Sequence, residues 1–124
     1  MTLRLAMSHS HSVIIVQYNC GNLNGKATRA LFDSFETPAV IAVQEPGWNK
    51  MTKSTTCPRR YQLAFEARPE TRVCFMVRRD IGEAHWRRTQ YGPNVATLTL
   101  RLYEESLLII NVYTPSTPGP RIRH

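Results

Sequence analysis

The sequence lacks any long hydrophobic run, and this absence argues against a membrane-spanning helix. Its longest apolar runs are four or five residues, whereas a helix needs about 20 apolar residues to cross a bilayer. Residues 1–12 contain a single arginine and too short an apolar stretch for a secretory signal. We therefore expect a soluble protein without membrane partners, in which residues 1–12 form a disordered leader.

Cysteine is also scarce, and its spacing excludes a regular metal-binding motif. The three cysteines, Cys20, Cys57 and Cys74, lie far apart in the sequence. An odd number leaves one thiol unpaired in any disulfide scheme, which favours a reduced, intracellular chain.

Acidic residues are few: the sequence has nine of them and 16 basic residues, which gives a formal net charge of +7. Thirteen of the basic residues are arginine, whose planar guanidinium suits bidentate contact with phosphate. Arginine doublets occur at 59–60, 78–79 and 87–88. Excess positive charge favours a polyanionic partner. A basic surface that serves solubility alone explains the charge equally well.

The apolar pattern predicts an α/β fold. A β-branched strand at 12–19 is followed by a helical stripe at 25–36 and by an apolar strand at 39–44. This spacing is typical of a βαβ crossover, so we expect the two strands to be parallel neighbours. Further strands are expected at 61–67, 71–77, 94–102 and 106–113, with loops at 49–60 and 82–93.

Polar side chains stand at the ends of three of these strands. Asn19 ends the first strand and Glu45 the second, while Asn111 and Tyr113 end the last. Carboxyl ends of parallel strands meet at one edge of a sheet, where ligands bind. A carboxylate and an amide oxygen about one strand spacing apart, roughly 5 Å, would suit Mg²⁺. Taken singly, the same residues also fit a solvated strand end, a turn former, a core amide and a half-buried tyrosine.

The motifs QYN, QEPGW, TRVCF and NVYTP, in this order, resemble the endonuclease/exonuclease/phosphatase family. They are most similar to endonuclease domains of fungal LINE-type (non-LTR) retrotransposons. The resemblance covers residues 13–118, followed by a tail at 119–124, and implies the N-terminal half of a DNase I-like, two-sheet α/β sandwich. This half would supply one mixed sheet with at least one helix.

The resemblance also implies an activity, the Mg²⁺-dependent hydrolysis of phosphodiester bonds in DNA, with Mn²⁺ as an alternative metal. Glu45 matches the principal metal ligand, Asn19 the asparagine that supports the metal and the scissile phosphate, and Tyr113 the tyrosine beside the leaving group. Asn111 would support this site. A retroelement endonuclease would act in the nucleus. The residues expected to contact nucleic acid are Arg59, Arg60, Arg87, Arg88 and Trp48.

The chain departs from the family pattern in two respects. The Asp-x-Asn and Ser-Asp-His motifs, which activate water and bind phosphate, do not occur before the chain ends at His124, and Arg72 replaces a small residue. We therefore expect a truncated, inactive chain. One face of the strand TRVCFMV, with neighbouring side chains from Leu107 to Val112, should stay uncovered and drive self-association. Three alternatives stay open: a phosphatase acting on an inositol phosphate or sphingolipid, a non-catalytic nucleic-acid-binding remnant, and a purely structural fragment.

Overall fold

The computed structural model describes residues 1–21, 38–64 and 68–115, and this part of the chain consists mainly of β-strands. Short 3-10 helices occupy Ser8–Ser10 and Glu83–His85. No helix in these ranges is long and apolar enough to cross a membrane. The helix expected at 25–36 and the tail at 119–124 lie outside the described residues. The strands are β1 (Thr2–Ala6), β2 (Ser12–Asn19), β3 (Val40–Gln44), β4 (Tyr61–Leu63), β5 (Val73–Arg78), β6 (Trp86–Gln90), β7 (Val95–Leu102) and β8 (Glu105–Val112).

The first sheet is mixed and has five strands in the order β1-β2-β3-β5-β4. Its central strand β3 is parallel to its neighbour β2, with Ile15 opposite Val40 and Asn19 opposite Gln44. The expected parallel pairing is thus confirmed. It brings the carboxyl ends of β2 and β3 to the same edge of the sheet, which we call the Glu45 edge.

The second sheet is antiparallel and contains β6, β7 and β8. It packs on the first sheet, and side chains from both sheets, including Phe75 and Leu98, belong to one buried cluster. The expectation of a single sheet with an uncovered face on the TRVCFMV strand is therefore wrong. Val73, Phe75 and Val77 are buried on one face of β5, as are Cys74 and Met76 on the other. Strand β7 covers the first of these faces. Its side chains alternate between the two faces of the second sheet, so that Ala96, Leu98 and Leu100 point inward.

Two segments differ from the sequence-based expectation. The expected disordered leader contains β1, which pairs antiparallel with β2; Leu3 and Leu5 share one face of it, and Leu5 packs against the core. The expected loop at 82–93 contains β6, whose alternate residues are half-buried. Arginines at two of its five positions hid the strand character of this segment from the hydrophobic pattern.

Asn111 joins the two sheets. It is a β8 residue and only 2% exposed. Its Nδ2 donates hydrogen bonds of 3.0 Å to the carbonyl oxygens of Val43 and of Cys74 in the first sheet. Since Tyr113 follows two residues later, this link fixes the end of β8 against the Glu45 edge.

Candidate functional site

Glu45 lies immediately after β3 and adopts a left-handed backbone conformation, with φ of 50°. Its backbone N–H donates a 2.7 Å hydrogen bond to the carbonyl of Arg72, which precedes β5. Pro46 follows and cannot donate to a ladder, so the strand ends here. The left-handed region costs a residue with a Cβ about 1–2 kcal/mol. Such strain is concentrated at functional positions, where the surrounding structure maintains it.

Asn19 orients the Glu45 carboxylate. Its Nδ2 donates a hydrogen bond of 3.2 Å to Glu45 Oε1, while its Oδ1 accepts a 2.8 Å hydrogen bond from the backbone N–H of Gly21. The two side chains therefore meet across neighbouring strand ends. The amide nitrogen, and not the oxygen, faces the carboxylate, so in this arrangement Asn19 positions Glu45.

Tyr113 reaches the same carboxylate from the second sheet. Its backbone N–H donates a 2.9 Å hydrogen bond to the carbonyl of Asn94, which anchors the residue just beyond β8. Partial burial, a hydrogen bond between the hydroxyl and Glu45, and the negative charge of Glu45 raise the pKa of Tyr113. The positive charge of Arg72 partly opposes this rise in pKa. The phenol is therefore neutral at physiological pH and can donate a hydrogen bond to a carboxylate or a phosphate oxygen.

Arg72 adds positive charge to this constellation, since it acts to lower the pKa of the Tyr113 hydroxyl. Its backbone is held on both sides, because its N–H donates to Pro93 and its carbonyl accepts from Glu45. The sequence marked Arg72 as a departure from the family pattern but did not place it in the site. The strand pairing does so, because β5 runs antiparallel to β3 and starts where β3 ends.

The donor set around Glu45 is small. Glu45 is half-buried and offers a carboxylate, the hard oxygen ligand that Mg²⁺ prefers. Within residues 1–21, 38–64 and 68–115, no group of three or more His, Cys, Asp or Glu side chains could hold a metal ion. Mg²⁺ is often bound by one or two carboxylates and completed by water and substrate phosphates. The residues present fit that mode, with Glu45 as the protein ligand.

The residues expected to contact nucleic acid are not gathered at the Glu45 edge. Arg59 and Arg60 precede β4, whose first residue Tyr61 pairs with Arg78 at the far end of β5. They therefore lie near the amino-terminal end of β3, at the opposite end of the strand from Glu45. Trp48, in contrast, stands three residues after Glu45 and is half-buried.

The Arg87-Arg88 doublet is divided between two faces of β6. Arg87 is exposed and pairs with Thr99, whereas Arg88 is half-buried and pairs with Leu98 of the core. The doublet does not form one phosphate-binding pair. Arg101 lies two residues beyond Thr99 and shares the outer face of the second sheet with Arg87, an arrangement that spacing along the chain does not reveal.

Comparisons with protein-family models, with curated proteins and with solved structures find no match to this chain.

Proposed function

We propose that the Glu45 site serves the Mg²⁺-dependent hydrolysis of phosphodiester bonds in DNA, as in a retroelement endonuclease acting in the nucleus. One observation carries the proposal. Asn19, Glu45 and Tyr113 come from the ends of three strands in two sheets, and the hydrogen bonds of Asn19 and Tyr113 converge on the Glu45 carboxylate. Two side-chain donors that converge on one carboxylate at a strand end support a functional role for Glu45.

Each residue has a distinct role in this proposal. Glu45 holds the cation, which would polarise a phosphate oxygen and offset the charge that develops there. Asn19 fixes the orientation of Glu45, and the Tyr113 hydroxyl would donate a hydrogen bond to a phosphate oxygen of the substrate. Arg72 adds a positive charge beside the phenol, which favours an anionic substrate.

The architecture supports the finer assignment to a DNase I-like sandwich, which we include in the proposal. Two stacked sheets, one of them mixed, and a carboxylate at the carboxyl end of a central strand agree with such a fold. The buried amide of Asn111, which joins the sheets, supports the site by fixing the strand that ends at Tyr113.

A non-catalytic nucleic-acid-binding role is the second candidate, and the placement of the histidines favours it. His11 stacks on Tyr103 at the turn between β7 and β8, with ring centroids 3.8 Å apart. His85 precedes β6 at the end of the sheet remote from Tyr113. Neither of these two histidines is placed to bind a phosphate at Glu45.

DNA binding in the presence and absence of Mg²⁺ distinguishes the two candidates. We suggest measuring fluorescence anisotropy of a labelled DNA duplex at constant ionic strength, with and without Mg²⁺, for the wild type and for Glu45→Gln. Glu83→Gln is the matched control, because Glu83 is exposed and lies before β6.

If Glu45 holds a metal that contacts phosphate, Mg²⁺ strengthens binding by the wild type and by Glu83→Gln but not by Glu45→Gln. Binding that falls with salt but does not respond to Mg²⁺ or to Glu45→Gln would support the non-catalytic role. The absence of DNA binding by all three proteins would reject both candidates.

A further inference from the structure

The outer face of the second sheet points away from the first sheet, and strands β6 and β7 present a polar row on it. The inward residues of β7 are buried between the sheets, so the alternating residues Thr97, Thr99 and Arg101 lie on the outer face. Strand β6 pairs Arg87 with Thr99 and Thr89 with Thr97. Since residues opposite each other in an antiparallel pair share a face, Arg87 and Thr89 also point outward.

The outward positions of β6 and β7 carry positive charge and no acidic side chain. Arg87 and Arg101 are diagonal neighbours on this face, about 7–8 Å apart. Glu83 precedes β6, and Glu104 lies in the turn after β7, so both carboxylates are outside these positions. Within residues 1–21, 38–64 and 68–115, neither arginine makes an ion pair. Two neighbouring guanidinium groups of this kind favour a ligand with phosphate groups.

Tyr91 continues the outward row of β6 at the end nearest the Glu45 edge, and the fold does not use its ring. The side chain is 62% exposed. Among the described residues, its ring makes no aromatic contact and its hydroxyl makes no hydrogen bond. By contrast, Tyr103 stacks on His11, and Tyr113 contacts Glu45. An exposed aromatic ring can stack on a nucleobase.

The turn that carries Tyr91 is held by backbone hydrogen bonds on two sides. The Tyr91 N–H donates a 2.8 Å hydrogen bond to the carbonyl of Val95, and the Arg72 N–H donates a 2.7 Å hydrogen bond to the carbonyl of Pro93. Gly92 has φ of 85°, in the left-handed region that glycine adopts readily. Because the backbone below the ring is already fixed, stacking on a base costs little further conformational entropy.

Strand β8 adds an apolar stripe to the same face. Leu108 and Ile110 are 59% and 61% exposed, and they lie opposite Thr99 and Thr97 of β7. The face therefore combines arginines, an exposed aromatic ring and apolar surface. Surfaces that bind single-stranded nucleic acid combine positive charge for the backbone with stacking platforms for the bases.

We propose that the outer face of the second sheet binds a single strand of DNA, with Tyr91 stacked on one base and with Arg87 and Arg101 in contact with phosphates. A duplex hides the faces of its bases in the stack, whereas a single strand exposes them to an aromatic ring. The inference rests on the proposed function for the identity of its ligand, DNA. It uses neither Glu45 nor a metal.

Fluorescence anisotropy of a labelled oligothymidine of about 12 nucleotides, measured in EDTA, tests the proposal. Tyr91→Ala should weaken binding by at least about fivefold, because it removes the stacking platform. Tyr91→Phe keeps the ring and should bind within about twofold of wild type.

The salt dependence of the same binding tests the phosphate contacts. Arg87→Gln should weaken binding and reduce the slope of log affinity against log salt by about 0.7, the value for one phosphate contact on a single strand. Arg79→Gln is the matched control for charge, because Arg79 is exposed but donates a hydrogen bond to the carbonyl of Arg59 in the first sheet. Its affinity should stay within about twofold of wild type.

Residue-resolved NMR of the wild type locates the bound strand without a variant. The amide signals of Thr89 and Thr97 should shift as the oligonucleotide is added, and that of Gln62 in β4 should not. Equal binding by wild type, Tyr91→Ala and Arg87→Gln, no binding at all, or signal shifts confined to the first sheet would each overturn the inference.

The two proposals fail separately. Because the oligothymidine assay contains no free Mg²⁺, Glu45→Gln should bind the single strand as the wild type does. Oligothymidine binding that depends on Tyr91, together with duplex binding that does not respond to Mg²⁺, would reject the metal site at Glu45 and support this inference. Mg²⁺-dependent duplex binding without oligothymidine binding would do the reverse.

Discussion

The side-chain amide of Asn19 donates a 3.2 Å hydrogen bond to the carboxylate of Glu45 across the ends of two parallel strands. The residues are 26 positions apart in sequence, and the parallel pairing of their strands brings them together. Tyr113 approaches the same carboxylate from the other sheet. Side chains from both sheets therefore meet at the Glu45 carboxylate.

Backbone strain at Glu45 should be measurable as a difference between two truncations. Glycine tolerates the left-handed conformation that Glu45 adopts, while alanine does not. We expect Glu45→Gly to be more stable than Glu45→Ala by about 1 kcal/mol in chemical denaturation. At Thr89, an exposed strand position, the order of the same two substitutions should be reversed. Equal stabilities of the two Glu45 variants would show that the conformation carries no strain.

Removing the Asn111 amide should weaken the contact between the sheets. Asn111→Ala leaves the buried carbonyls of Val43 and Cys74 without their side-chain donor, and we expect a loss of about 2 kcal/mol in the free energy of unfolding. Asn49→Ala is the control, since the Asn49 side chain accepts its hydrogen bonds in an exposed turn. A loss at Asn111 no larger than at Asn49 would contradict the cross-sheet role.

Alkaline titration should detect the contact between Tyr113 and Glu45. Partial burial and Glu45 raise the pKa of Tyr113 in the folded protein. The stabilisation from the neutral phenol is then complete below the ordinary tyrosine pKa of about 10. It is lost as pH rises through the folded-state pKa, because the unfolded state releases the proton first.

The measurement is the tyrosinate absorbance of the wild type minus that of Tyr113→Phe, since the chain has five tyrosines. In a Glu45→Gln background, the Tyr113 titration should move to lower pH. An unchanged titration would show that the phenol and the carboxylate do not interact.

The chain alone should not cleave DNA at a measurable rate. Loss of a general base typically lowers a rate by about 10²- to 10⁴-fold, and the described residues bring no group of three or more His, Cys, Asp or Glu side chains together at a possible metal site. In a supercoiled-plasmid assay with Mg²⁺, we expect the same nicking from the wild type as from Glu45→Ala. Nicking that depends on Glu45 would show that another residue or a second copy completes the site.

The sequence predicted the strands around the site more reliably than the second sheet. Five β-branched and apolar residues before Glu45, followed by Pro46, indicate a buried strand. The structure has the buried strand β3 at this position. The left-handed backbone at Glu45 could not be foreseen, since glycine or asparagine normally occupies that region. Two strands of the second sheet, β7 and β8, were expected at 94–102 and 106–113, whereas β6 escaped prediction because Arg87 and Arg88 obscured its alternation. The contribution of β6 to covering the first sheet was therefore not predicted.

Electron paramagnetic resonance of Mn²⁺ most directly tests whether Glu45 is a metal ligand. Bound Mn²⁺ loses its sharp free-ion signal, so a titration counts the ions held by the protein, and Mg²⁺ should displace them. We predict one weak Mn²⁺ site in the wild type and in Glu83→Gln, and its loss in Glu45→Gln. Mn²⁺ binding that is equal in all three proteins, or absent from the wild type, would contradict a metal site at Glu45.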